Sequence, residues 1–120
     1  MPEETGVRSH RDLGVWQKSM DMVECVYALT TQFPEPEMYG LTAQLRRSAV
    51  SVPSNIAEGA ARGSGKDFQR FLHVALGSVA ELETQLLIAQ RLKFVTEPPM
   101  AQLDEVRKML LGLIRSLGRR

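Results

Sequence analysis

The chain is poor in aromatics, cysteine and histidine, and it lacks any long apolar run. Aromatic residues make up only 6% of the 120 residues, while apolar residues as a whole make up 43%. The apolar content is therefore mainly Leu, Ala, Val and Met, which suits a helical core better than a sheet. No run of alternating β-branched residues and no Asn-Gly or Asp-Gly hairpin turn is present, so nothing reads as a strand. Cys25 stands alone, which excludes a disulfide within the chain. Its neighbours are mostly small and apolar, so it reads as a packing residue of the first helix and not as a reactive thiol. No segment approaches the roughly 20 apolar residues needed to span a bilayer. The first residues, MPEETGVRSHRDLG, lack the basic-then-apolar layout of a signal peptide. A cytoplasmic location without membrane contact is the expectation.

The scarcity of histidine also removes several chemistries. Metal sites in helical bundles need convergent ligands such as Glu-x-x-His pairs. Neither His10 nor His73 has that partner. The Arg-x4-His pattern of helical ribonucleases is absent, because Phe68 and Thr5 stand five residues before the two histidines. Glu81 and Glu83 are two apart, so they diverge on a helix and cannot share one magnesium ion. Gly63-Ser64-Gly65-Lys66 has neither the preceding strand nor the spacing of a phosphate-cradling loop. Ser51 and Ser54 have no histidine near them in sequence. The expectation is a protein that is not an enzyme and carries no metal or cofactor.

What is present is helical periodicity. Leu41, Leu45, Ala49, Val52 and Ile56 step by three and four residues and form one stripe over the segment YGLTAQLRRSAVSVPSNIAEG. Pro53 sits inside that stripe. An interior proline removes one backbone donor and costs roughly 3 kcal/mol or more. Ser48, Ser51, Ser54 and Asn55 are placed to bond the freed carbonyls. The pattern predicts a kinked helix from about Glu37 to Arg62.

Before it, helix 1 is predicted from Asp12 to Gln32, stopped by Phe33-Pro34-Glu35-Pro36. It carries two apolar stripes. One is Leu13, Trp16, Met20, Val23 and Tyr27; the other is Val15, Met22, Val26 and Leu29. A helix apolar on so many sides needs cover beyond one core, so Trp16, Met20 and Tyr27 are the candidate subunit contact. After Gly63, Ser64 caps a third helix that runs to about Arg91, with Asp67 completing a capping box. Phe68, Leu72, Ala75, Val79, Leu82, Leu86 and Ala89 supply its stripe. Gly77 within it suggests a close helix crossing. Thr96-Glu97-Pro98-Pro99 signals the start of a fourth helix, with Leu103, Val106, Leu110, Leu113 and Leu117 buried. Residues 1–11 are expected to be a flexible tail. Residues 12–120 are expected to form a single all-α domain, an up-down-up-down antiparallel four-helix bundle.

Charge is unevenly spread. The formal net charge is +1, yet residues 1–40 carry −4, residues 41–80 carry +3 and residues 81–120 carry +2. Such a distribution can put a basic face on a near-neutral protein. The overall pI of about 7.9 is below the value of about 9 usual for nucleic-acid-binding domains. Arg46 and Arg47 read two ways: as phosphate contacts, or as a solvated face paired with acids of helix 1. Glu58 reads as a helix-end carboxylate paired with Arg62, four residues on.

The stretches Gly40 to Gly59 and Phe68 to Leu92 carry a resemblance. YGLTAQLRRSAVSVPSNIAEGAARGSGKDFQRFLHVALGSVAELETQLLIAQRL is similar to bacterial four-helix-bundle proteins encoded in intervening sequences of large-subunit ribosomal RNA genes. The accessory variability protein of diversity-generating retroelements belongs to the same family. The resemblance covers about Asp12 to Leu117. It implies a ring-like homo-oligomer, a pentamer, in which five modest basic patches add up. It also implies binding of structured RNA or RNA–DNA hybrid, with a reverse transcriptase as the protein partner. Carried over by position, the contacts would be Arg46, Arg47, Arg62, Lys66 and Arg70. The departure is that nucleic-acid-binding relatives are strongly basic and this chain is not. A protein-interaction scaffold with no nucleic-acid role is the alternative.

Overall fold

The Leu45–Ala49–Val52–Ile56 stripe does become a buried helix face, and a proline inside it does not interrupt the helix. In the computed structural model, which describes residues 9–119, four helices contain most of the chain: α1 (Gly14–Thr30), α2 (Leu41–Ala61), α3 (Gly65–Arg91) and α4 (Met100–Gly118). No strand occurs among the described residues. Short 3-10 turns at His10–Asp12 and Glu35–Glu37 precede α1 and α2.

Each helix packs on its neighbour in sequence, and α1 closes against α4. The backbones of the diagonal pairs α1–α3 and α2–α4 stay apart across the shared core, so the four helices sit at the corners of a square. The body is elongated, 50 × 21 × 19 Å. Contacts across each seam set the directions. Arg46 near the start of α2 meets Thr30 at the end of α1. A side chain at Gly59 near the end of α2 would collide with Phe68 and Phe71 near the start of α3. Gln69 near the start of α3 donates to the Ile114 carbonyl near the end of α4, at 3.1 Å. All three are antiparallel pairings, as short connections between bundle helices require. The expected bundle is therefore present in one copy of the chain.

The core is continuous from end to end. Met22, Val26, Leu45, Ala49, Val52, Ile56, Leu72, Val79, Leu82, Leu86, Leu103, Val106 and Leu110 are all fully buried. A buried Leu, Val, Ile or Met side chain contributes roughly 1.5–3 kcal/mol relative to exposure, so this stripe outweighs any single helix-end effect. By length and composition α3 could cross a membrane. Its Leu72, Val79, Leu82 and Leu86 are instead spent on the core between α2 and α4.

Several local expectations change. Of the two apolar stripes of α1, the core takes Val15, Met22 and Val26, with Leu29 half-buried. Helix 1 begins at Gly14 and ends at Thr30, two residues inside each predicted end. Helix 2 starts at Leu41, not Glu37, because Glu35–Glu37 winds as a 3-10 turn. Helix 4 starts after Pro99, and Thr96 does not cap it. The Thr96 carbonyl accepts a bond from Gln90 Nε2 at 3.1 Å instead. The close crossing lies at Gly59 and not at Gly77: a Cβ on Gly59 would stand 2.8 Å from Phe71 Cβ, whereas one on Gly77 meets nothing within 4 Å. The tail expected over 1–11 falls mainly on residues 1–8, which lie outside the described residues. Its last residues are organised: the Arg11 amide donates to Ser9 Oγ, and His10 meets Trp16 edge-on at 5.1 Å.

The polar residues around Pro53 act differently from expectation. The missing N–H of Pro53 frees the Ala49 carbonyl. Asn55 Nδ2 bonds the Ser51 carbonyl at 2.8 Å and Ser51 Oγ at 3.0 Å. Ser51 Oγ pairs with Ser78 Oγ at 2.8 Å across the α2–α3 seam. These groups thus tie α2 to α3 and do not serve the freed carbonyl.

The end of α3 is closed by a left-handed residue. Lys93 has φ 67°, and the bonds Phe94 N to Ala89 O (2.9 Å) and Lys93 N to Gln90 O (3.0 Å) form the Schellman pattern. Phe94 then packs on Phe33 at 5.5 Å, joining the two connections at that end of the bundle.

Candidate functional site

The five basic residues expected to form one nucleic-acid surface are divided by the fold. Arg46 and Arg47 stand on the second turn of α2. Arg62, Lys66 and Arg70 surround the α2–α3 turn at the other end of the bundle. Arg62 follows Arg47 by fifteen positions, nearly all of them helical, or about 22 Å along the axis.

Arg46 is also occupied. Its Nε donates to Thr30 Oγ1 at 2.8 Å, its Nη2 reaches the Tyr27 carbonyl at 3.4 Å, and its guanidinium lies 4.4 Å from the Tyr27 ring centre. A cation at a helix C-terminus satisfies carbonyls that have no partner within the helix and favours the helix dipole. Arg46 therefore serves the α1–α2 seam. Its partners there are a hydroxyl, a carbonyl and a ring, and not the acids of helix 1.

The opposite end is different. Arg11, Arg62, Lys66, Arg70, Arg115 and Arg119 are all exposed and are grouped there by the antiparallel register. Asp12, Glu58 and Asp67 are the acids of the same turns. Glu58 holds Arg62 at 2.8 Å, the expected i,i+4 pair, and Asp67 lies 3.5 Å from Arg70. Arg62 and Arg70 also flank the Phe71 ring, at 4.9 and 4.5 Å from its centre. Exposed pairs of this kind are worth little, so they fix side-chain direction more than they stabilise the fold. Ser64 Oγ accepts from the Asp67 amide at 3.1 Å, which fixes the start of α3 and the position of Lys66. Lys66, Arg115 and Arg119 make no ion pair among the described residues. The connections at the far end carry the reverse balance, with Glu35, Glu37 and Glu97 against Arg91 and Lys93. The basic excess is thus concentrated at the α2–α3 end of the bundle. The share contributed by Arg115 and Arg119 was not found by sequence reasoning, because those residues lie some fifty positions from the α2–α3 turn.

The proposed subunit-contact residues share one side. Met20 and Tyr27 are exposed at 39% and 42%, and Trp16 is half-buried. Trp16, Met20 and Val23 line an apolar groove on the α1–α2 seam together with Val50, Pro53 and Ala57. Tyr27 continues it toward Met38 and Tyr39. Partial burial raises the Cys25 thiol above its ordinary value. Glu81 and Glu83 diverge as expected: Glu81 faces the α2–α3 seam, while Glu83 holds Arg107 of α4 at 2.7 Å. Among the described residues no group of three or more His, Cys, Asp or Glu converges on one point.

The fold and the site together define a class: a helical bundle with a basic end and an exposed apolar seam. Within that class, the family described as 23S rRNA-intervening sequence protein matches residues 11–112, and the chain belongs to that family. A solved structure with TM-score 0.61 is a protein of unknown function from the S23 ribosomal protein family of Bacteroides thetaiotaomicron. It is 24% identical, and the alignment covers 86% of this chain and 94% of that one. At that identity the likeness speaks for the fold alone. No curated protein matches the chain.

Proposed function

We propose that this protein is a non-catalytic, homo-oligomeric binding module that holds structured RNA or an RNA–DNA hybrid by its phosphates. The observation that carries the reading is the grouping of six exposed bases, Arg11, Arg62, Lys66, Arg70, Arg115 and Arg119, at one end of the bundle. Phosphate contact needs no base-edge geometry, only cations that can release counterions. Membership of a family described by ribosomal RNA intervening sequences is consistent with such a ligand.

Oligomerisation belongs to the same proposal. The apolar groove along α1–α2, with Met20, Tyr27 and Val50 exposed, is the surface a second copy would cover. Repetition of one modest basic end around a ring, as in the expected pentamer, would multiply its field without requiring a strongly basic chain. A reverse transcriptase remains the protein partner this reading accommodates. Titrating a labelled structured RNA with the protein at low and moderate salt tests the proposal, because phosphate-driven affinity falls steeply with salt. The scaffold alternative is favoured by the same apolar seam and predicts no RNA binding at either salt concentration.

A further inference from the structure

A second site, unrelated to the basic end, opens between α2 and α3. A cleft of about 260 Å³ is lined by Gln44, Arg47, Ser48, Ser51, Glu81 and Gln85. Every one of these side chains is polar, on a seam whose neighbouring layers are Val52, Val79 and Leu82. Its volume is just under the roughly 300–1,000 Å³ of sites for drug-sized molecules, so it suits a smaller one.

Gln85 is the feature that calls for a ligand. It is only 7% exposed, and its Oε1 has no hydrogen-bond partner. Buried polar groups are nearly always bonded, so an orphan acceptor beside a polar cleft marks a missing donor. Gln85 lines the cleft, and the terminal torsion of glutamine is broad and two-fold, so its carboxamide has room to adjust to a ligand's donor. At the rim, Arg47 and Glu81 are both exposed, and neither makes an ion pair among the described residues. The cleft therefore offers one free cation, one free anion and one carboxamide acceptor, with the Ser48 and Ser51 hydroxyls beside them.

We propose that this cleft binds a small zwitterion of the amino-acid type. Its carboxylate would pair with the Arg47 fork, its ammonium with Glu81, and a donor on its body with Gln85 Oε1. Planar, bidentate recognition of a carboxylate is the geometry in which arginine excels. The proposal does not rest on nucleic-acid binding, whose candidate residues lie at the end of the bundle.

The test is a titration of the intact protein with each free L-amino acid up to millimolar concentration, read by NMR at the Gln85 side-chain amide and by thermal shift. The account expects at least one amino acid to move the Gln85 amide resonances saturably and to raise the melting temperature. Arg47→Gln and Glu81→Gln, both at exposed positions, should each weaken that binding at least tenfold while leaving the unliganded fold unchanged. Gln85→Met should abolish the ligand-induced rise in melting temperature without loss of the fold, since it replaces an unbonded polar group by a thioether of similar size. Unmoved Gln85 resonances with every amino acid overturn the proposal. So does binding that survives both charge-removing substitutions.

Discussion

Arg46 Nε donates to Thr30 Oγ1 at 2.8 Å, and Thr30 Oγ1 donates in turn to the Val26 carbonyl at 2.7 Å. Thr30 is buried at 3% exposure, so this short chain closes the end of α1 with a cation from α2. Hydrogen bonds to charged groups contribute about 1.5–3 kcal/mol each, which is large beside a typical surface contact.

Removing that cation should therefore unsettle the fold. Arg46→Gln is expected to lower stability to urea by about 1–3 kcal/mol. Thr30→Val should cost less when Arg46 is already replaced, and a double-mutant cycle measures the coupling. Additive effects would show that the pair is incidental. Reversing Arg46 is consequently a poor test of ligand binding, because a loss of binding could not be told apart from a loosened α1–α2 seam.

Gly59 and Gly77, both inside helices, should behave oppositely. Gly59→Ala puts a methyl 2.8 Å from Phe71 Cβ and 3.0 Å from Phe68 Cδ1, so α2 and α3 must separate. A loss of about 1–3 kcal/mol follows from overpacking. Gly77→Ala meets nothing and should gain up to about 1 kcal/mol from helix propensity. Thermal unfolding of the two variants checks the pair, and a neutral Gly59→Ala would contradict the crossing.

Lys93 is the one described non-glycine residue with positive φ, at 67°. Lys93→Gly should raise stability by about 1 kcal/mol, because glycine takes the left-handed region without a Cβ penalty. Denaturant midpoints at equal slope measure this. A loss on substitution would mean that the lysine stem contributes more than the backbone strain costs.

The helix stripes were legible because a 3-4 spacing needs no tertiary information. Leu45, Ala49, Val52 and Ile56 read as buried and are buried. Which α1 stripe faces the core was not legible, since both are equally apolar; the choice depends on how α2 and α4 approach. Helix ends shifted where competing local geometries are close in energy, as at Glu35–Glu37. The basic end was half legible. Arg62, Lys66 and Arg70 are near each other in sequence, whereas Arg115 and Arg119 reach them only through the antiparallel return of α4. The occupation of Arg46 and the orphan oxygen of Gln85 depend on seams between helices, which no window of sequence contains.

The outward stripe of α1 makes a separate prediction. Met20→Glu should leave the helix content and stability of one bundle almost unchanged, because Met20 is 39% exposed. It should dissociate the proposed oligomer, read as a fall in sedimentation mass. A variant that sediments as the parent chain does would remove the α1–α2 groove from the interface.

The most direct test of the central claim is fluorescence anisotropy of a labelled structured RNA at low and moderate salt, with two charge-reversed variants compared. The first reverses Lys66, Arg115 and Arg119, which make no ion pair among the described residues; the second reverses Arg47 alone. The account predicts salt-dependent binding that the first variant loses at least tenfold and the second retains. Absence of binding at low salt, where screening is weakest, would contradict it, and so would equal binding by the parent and the first variant.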